Sequence, residues 1–74
     1  MLVKVTFNNK LFRCREEDED ELLLYNLRCG DMFFLSGEAK ELLLKLQRAN
    51  LIEVDSNNNI VKLLILLNAI LIAN

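Results

Sequence analysis

The sequence contains no histidine, the side chain that most often acts as a general base near neutral pH and most often binds metal ions. Its two cysteines, Cys14 and Cys29, have neither a CxxC spacing nor a histidine partner. Its two serines lack a histidine to activate them. Gly30 and Gly37 do not form a phosphate-binding loop, which needs several glycines before a helix. We therefore expect a protein that is not an enzyme on its own and that uses no cofactor and no metal.

Positive charge is also scarce. Nine lysines and arginines stand against eleven acidic residues, which gives a net charge of −2, and the basic residues are scattered along the chain. Nucleic-acid-binding domains usually present a basic face, so we expect no nucleic-acid partner. Residues 16–21 are six consecutive acids, whose mutual repulsion predicts a solvated loop, with weak attraction of a basic partner as the alternative. They lack the alternating ligands and the glycine of a calcium loop.

The 74 residues suffice for one domain, spanning residues 1–74. A domain of this size is only marginally stable and needs a dense core, a covalent or metal cross-link, or a partner. Hydrophobic residues make up 53% of the chain and can supply the core. Residues 1–7 are too short for a signal peptide and contain no cleavage site. We expect a cytoplasmic protein whose Cys14 and Cys29 are free thiols, the alternative being a disulfide between them.

Residues 22–48 predict a strand, a tight turn, a second strand and a helix. The strands are expected at residues 22–27 and 31–35, joined at Gly30, which can take the positive φ that hairpin loops need. The Ser36 hydroxyl is placed to cap a helix over residues 37–48. The apolar positions of that helix follow the i, i+3, i+4, i+7 spacing of one buried face: Ala39, Leu42, Leu43 and Leu46. Both predicted strands are apolar on both faces, so the sheet is either covered on two sides or left for a partner to cover.

The N-terminal part predicts further strands. Residues 2–7 alternate with period two and residues 10–15 form a returning strand, so a first hairpin turns at Asn8 and Asn9. The alternative is that only residues 10–15 join the sheet and residues 1–7 form an extra arm. Residues 51–55 predict a short strand or an extended connector. The expected fold is α+β: a small antiparallel sheet of three to four strands followed by two main helices, in a winged-helix-like arrangement.

Residues 60–73 form an apolar run that only Lys62 and Asn68 interrupt. Read as a helix, the run is about 21 Å long, which is short of the roughly 30 Å hydrocarbon core, so we expect no membrane span. A helix that is apolar on all sides must be buried on all sides. Since one sheet and one helix cannot wrap it, part of its surface is expected to meet another molecule, and a homodimer through this helix would satisfy that need.

The middle of the chain resembles the PqqD-like peptide chaperones, also called RiPP recognition elements. The likeness covers about residues 10–48 and rests on Tyr25-Asn26-Leu27-x-x-Gly30-Asp31, a second strand that ends in Leu35, and a serine that caps a leucine-rich helix. Such domains hold the leader segment of a ribosomal precursor peptide for a modifying enzyme, so the resemblance implies these two partners. Residues 49–59 depart from the family because they are too short and too polar for the helix usually found there.

The resemblance also implies a binding site, in which the leader lies antiparallel along the strand at residues 31–35 and against the last helix. That strand ends the hairpin, so in a sequential sheet it has an open edge that can pair with an extended peptide. The strand would contribute Asp31, Met32, Phe33, Phe34 and Leu35. The last helix would contribute Val61, Leu64, Ile65 and Asn68. Met32 is the best single candidate for contact, because thioethers adapt to varied partners.

Two other hypotheses remain open at this point. A winged-helix-like DNA-binding domain has a similar set of elements, but the helix at residues 37–48 mixes basic and acidic residues and presents a nearly neutral face. The second hypothesis is a structural domain that associates with its own copy, which is compatible with peptide binding.

Overall fold

The computed structural model describes residues 1–73 and confirms the predicted α+β class. Four strands come first in this part of the chain, and two helices then alternate with two further strands. In chain order they are β1 (Leu2–Phe7), β2 (Phe12–Glu16), β3 (Leu22–Asn26), β4 (Met32–Leu35), α1 (Gly37–Ala49), β5 (Ile52–Asp55), α2 (Asn59–Leu66) and β6 (Ile70–Ala73).

The strands form two antiparallel sheets of three strands each, with orders β5-β1-β6 and β2-β3-β4. The predicted hairpin between residues 2–7 and 10–15 is therefore wrong, because β1 pairs with β5 and β6 and not with β2. Apolar β-branched residues flank β1 on both sides, and Val5 lies opposite both Ile52 and Ile72. Val5 is fully buried in this arrangement. The two C-terminal strands thus pair with both edges of β1, and the core packed against this sheet buries Val5.

The predicted helix over residues 60–73 is confirmed as far as residue 66 and is wrong beyond it. Helix α2 ends at Leu66, and the chain reverses through Asn68, whose φ is 65°. The backbone N–H of Ala69 donates to Leu64 O (2.9 Å) and that of Asn68 donates to Ile65 O (3.0 Å), the two hydrogen bonds of a Schellman motif. The rest of the run then pairs with β1 as β6. The apolar residues are thereby divided between a short helix and a strand.

Helix α1 begins differently from the prediction and ends close to it. Ser36 occupies the N-cap position, but its hydroxyl forms no capping hydrogen bond. The following Gly37, the first residue of the helix, has a φ of +59°. This is the left-handed region, which glycine adopts without strain. At the other end Asn50 is left-handed (φ 65°), and its N–H donates to Leu46 O (3.0 Å).

The hairpin between β3 and β4 confirms the role predicted for Gly30, which has a φ of +80°. The Asn26 side chain organises the loop, since its Oδ1 accepts from the backbone N–H of Arg28 (2.8 Å) and of Cys29 (3.2 Å). The loop closes where the N–H of Gly30 donates to Asn26 O (2.9 Å). These local bonds fix the register in which β4 returns along β3.

One hydrophobic core joins both sheets and both helices. Phe12, Leu22 and Leu24 bring the β2-β3-β4 sheet into it. The other fully or nearly fully buried members are Val5, Leu43, Leu46, Val61, Leu64, Ala69 and Ile70. The core therefore covers one face of the β2-β3-β4 sheet and leaves the other face to solvent.

Candidate functional site

The two faces of the β2-β3-β4 sheet differ sharply in exposure. Leu22 and Leu24 of β3 are buried, and Phe33 and Leu35 of β4 are half-buried against the core. The alternate residues point the other way, because side chains of a strand alternate between its faces. The sequence left open whether this sheet is covered on both sides, and the structure covers one side only.

The uncovered side, which we call the outer face, consists of two cross-strand rows. The register places Arg13, Tyr25 and Met32 in one row and Arg15, Leu23 and Phe34 in the other. Met32 is 59% exposed and Phe34 60% exposed, although both are large apolar side chains. A shallow cleft of about 360 Å³ lies over this face. It is lined by Arg13, Cys14, Arg15, Leu23, Tyr25 and Met32.

Strand β4 forms one border of its sheet, with β3 as its only strand neighbour in residues 1–73. The N–H of Asn26 donates to Asp31 O (2.8 Å), which marks this pair as hydrogen-bonded. Because hydrogen-bonded and non-hydrogen-bonded pairs alternate in an antiparallel ladder, Phe33 and Leu35 direct their peptide groups toward β3. Met32 and Phe34 therefore direct theirs away from the sheet. The same two residues supply the exposed backbone and the exposed side chains of this border.

The cations of the outer face lie on β2, at the side remote from β4. The Arg15 guanidinium is bound by Glu17 Oε1, at 2.7 Å from Nη2 and 2.9 Å from Nε. Arg13 Nη1 donates to the backbone carbonyls of Asn9 and of Phe12 (3.1 Å for Phe12). The outer face is therefore charged along β2 and apolar along β4.

The predicted site residues of the first strand are divided by the alternation of β4. Asp31 is exposed in the loop that precedes β4, and Met32 and Phe34 lie on the outer face. Phe33 and Leu35 pack on the core side. Leu23 and Tyr25, which the prediction omitted, lie beside Met32 and Phe34. The period-two pattern of residues 22–27 puts both on one face, but it does not indicate which face is open.

The predicted residues of the last helix do not join β4. Val61 and Leu64 are buried in the core, and Ile65 is half-buried against it. Val61 also borders a groove between α1 and β5. Asn68 lies in the turn after α2, where its carbonyl accepts from Asn8 Nδ2 (2.8 Å) and where it lines a cleft with Leu27. In the described chain β4 lines neither of these two depressions.

Comparison with known proteins gives no relative: no family model, no curated protein and no solved structure matches the chain. Residues 1–73 place no group of three or more acidic or cysteine side chains where they could hold a metal ion. The helices in this same range are too short or too polar to cross a bilayer.

Proposed function

We propose that the chain is a non-catalytic peptide-binding module that takes up an extended segment as an additional strand along β4. The observation that carries the proposal is the double exposure of Met32 and Phe34, in backbone and in side chain. Unpaired peptide groups at a sheet border favour a further strand, and natural proteins usually protect such borders with charge or proline. β4 contains neither.

The geometry specifies what such a peptide would look like. Peptide residues opposite Met32 and Phe34 would exchange hydrogen bonds with their free N–H and C=O groups. Their side chains would project onto the outer face and lengthen the two cross-strand rows by one position each. These rows contain Tyr25 and Leu23, so apolar peptide residues two positions apart fit best. Intervening residues would point toward the core side of the border.

The leader segment of a ribosomal precursor peptide is the ligand that the resemblance to RiPP recognition elements suggests. Such a module would present the segment to a modifying enzyme in the cytoplasm. The free edge at β4 and the positive-φ Gly30 that shapes its hairpin support this reading. The last helix has no part in the proposed contact. Its predicted residues Val61, Leu64 and Ile65 pack in or against the core and do not lie beside β4.

A titration followed by amide chemical shifts tests the proposal. The probe is a seven-residue synthetic peptide of alternating valine and threonine, and its control is the same peptide methylated on the backbone nitrogens that would face β4. We expect shifts centred on residues 31–35 and on Leu23 and Tyr25 with the first peptide only. Methylation removes the hydrogen-bond donors and leaves the side chains nearly unchanged, so equal binding of both peptides would contradict strand addition.

A pair of variants locates the site. Phe34→Lys places a charge on the border, and we expect it to weaken peptide binding at least tenfold. Leu66→Lys is the matched control, because Leu66 is a strongly exposed apolar residue on α2. Salt-sensitive binding of duplex DNA without a response to peptide would favour the DNA-binding hypothesis. A concentration-dependent mass that Phe34→Lys abolishes would show instead that the border pairs with a second copy.

A further inference from the structure

A second cleft, of about 650 Å³, lies at the opposite border of the β2-β3-β4 sheet. It is enclosed by the end of β1, the turn that follows, the first half of β2 and the C-terminal end of α1. Its lining consists of Thr6, Phe7, Asn9, Lys10, Arg13, Cys14, Leu46, Gln47 and Asn50. This cleft lies at β2, on the other side of β3 from the proposed peptide edge at β4, although Arg13 and Cys14 also line the cleft over the outer face.

The charges of the lining are of one sign, although the chain as a whole has a net charge of −2. Lys10 and Arg13 are its only charged residues, and no carboxylate borders it. Within residues 1–73 the Lys10 ammonium forms no ion pair. The Arg13 guanidinium is held in place by the carbonyls of Asn9 and Phe12, with donors to spare. An anion entering the cleft would meet two cations that no protein acid neutralises.

The remaining walls combine amide and apolar groups. Gln47 and Asn50 contribute amide side chains, and the half-buried Phe7 and Cys14 contribute a small apolar patch to a lining that is otherwise mostly polar. Thr6 Oγ1 donates to Asn50 O (2.9 Å) and so ties β1 to the end of α1 across the cleft. Burial raises the pKa of the Cys14 thiol above its ordinary value, so the thiol stays neutral near pH 7 and adds no negative charge.

We infer that this cleft binds a small organic carboxylate whose charged group meets Lys10 and Arg13 and whose body is apolar. A guanidinium presents parallel N–H donors that match the two oxygens of a carboxylate. The apolar patch at Phe7 and Cys14 gives an aryl or alkyl body a surface to contact beside the two cations. The volume falls within the roughly 300–1,000 Å³ typical of small-molecule sites. This inference does not depend on the proposed peptide binding.

Three probes test the chemistry through amide chemical shifts: phenylacetate, its neutral analogue phenylacetamide, and inorganic phosphate. Phenylacetate is expected to shift the amides of Lys10, Arg13 and Gln47 with saturation, and the other two probes are expected to bind at least tenfold more weakly. Equal binding of phenylacetamide would refute the role of charge. Equal binding of phosphate would refute the role of the apolar body, and no saturable shift with phenylacetate would overturn the site altogether.

Variants assign the effect to the two cations. Lys10 is exposed in a turn and forms no ion pair within residues 1–73, so Lys10→Gln should fold normally and weaken phenylacetate binding about tenfold. Arg13→Gln should weaken it at least as much. Lys4→Gln, which removes an exposed charge of β1 outside the cleft, is the control and should leave binding unchanged. Unchanged affinity in Lys10→Gln, or an equal loss in Lys4→Gln, would contradict the assignment.

Discussion

The Lys40 ammonium donates a hydrogen bond to the backbone carbonyl oxygen of Glu19. Lys40 is only 7% exposed, whereas Glu19 belongs to the acidic run and is exposed. The contact ties the first turns of α1 to the loop between β2 and β3, where acidic residues crowd together. A single buried cation thus holds a segment whose own charges repel one another.

Replacing Lys40 should reveal this contact. In Lys40→Met the apolar stem remains and the donor is lost, so we expect the free energy of unfolding to fall by about 1.5–3 kcal/mol, the usual range for a hydrogen bond to a charged group. Urea denaturation measures the change. Lys45→Met, an exposed lysine of the same helix, is the matched control and should change stability by less than about 0.5 kcal/mol. Equal effects of the two variants would show that the Glu19 contact contributes nothing.

The left-handed Asn68 offers a second prediction. Asn68→Gly keeps the backbone conformation accessible and should leave stability within about 0.5 kcal/mol of the parent, whereas Asn68→Ala should lose about 1 kcal/mol because of its Cβ. Both variants retain the backbone carbonyl that accepts from Asn8. Thermal and urea unfolding of the two variants give the comparison. If alanine were as stable as glycine, the turn would not require a positive φ at this residue.

Acid should destabilise the chain partly through Asp55. A hydrogen bond from the backbone N–H of Asn57 (2.9 Å) lowers the pKa of Asp55, and the N-terminal ammonium and Lys62 act in the same direction. A carboxyl whose pKa is lower in the folded state stabilises above its unfolded pKa, and that contribution is lost as the pH falls through the folded value.

We therefore expect the stability of the parent chain to fall more steeply than that of Asp55→Asn below about pH 4. Urea midpoints measured from pH 6 to pH 2 test this difference. Glu53→Gln, which removes an exposed carboxyl from the same strand, is the control and should follow the parent profile. Parallel profiles for the parent and Asp55→Asn would exclude a contribution of Asp55.

The two cysteines should react at different rates. Cys29 is exposed in the hairpin loop, whereas Cys14 is half-buried and burial raises the pKa of its thiol, which lowers its thiolate fraction. With iodoacetamide at pH 8, mass spectrometry should show rapid addition of one group and slow addition of a second. Cys29→Ser should abolish the fast phase and Cys14→Ser should retain it. A fast phase that survives in Cys29→Ser would contradict the burial of Cys14.

The part of the fold that could be predicted is the part encoded by neighbouring residues. Gly30 and the apolar runs on either side of it specify the β3–β4 hairpin within residues 22–35. The apolar spacing of residues 37–48 likewise specifies α1. These signals are local, so no knowledge of distant pairing was needed to interpret them.

The errors arose where distant segments decide the outcome. Residues 60–73 are apolar throughout, and such a run suits a helix and a buried strand equally well. The choice depends on β1, which accepts β6 as a partner and anchors the turn through Asn8. Because β1 pairs with β5 and β6, it does not pair with β2, and the predicted first hairpin does not form. A short window of sequence indicates neither the strand at residues 70–73 nor the long-range pairing of β1.

The candidate site shows the same division. The free border at β4 follows from its place at the end of a hairpin, and the exposure of Met32 and Phe34 follows from strand alternation. The opposite wall was predicted from a long terminal helix, but Val61, Leu64 and Ile65 of α2 pack in or against the core and not beside β4. The cleft near Lys10 and Arg13 could not be predicted, because it joins residues of β1, β2 and α1 that are up to 44 positions apart, as in the Thr6 to Asn50 bond.

The central position of β1 has a consequence for synthesis of the chain. Lys4 lies opposite Ala73, so β1 leaves the ribosome well before β6, the strand that completes its sheet. Meanwhile β2, β3 and β4 can assemble from contiguous residues, since they need only short loops to close. A nascent chain that stalls before residue 70 would contain the complete β2-β3-β4 sheet and a β1 strand with one unpaired edge. Chaperones bind exposed edges of this kind.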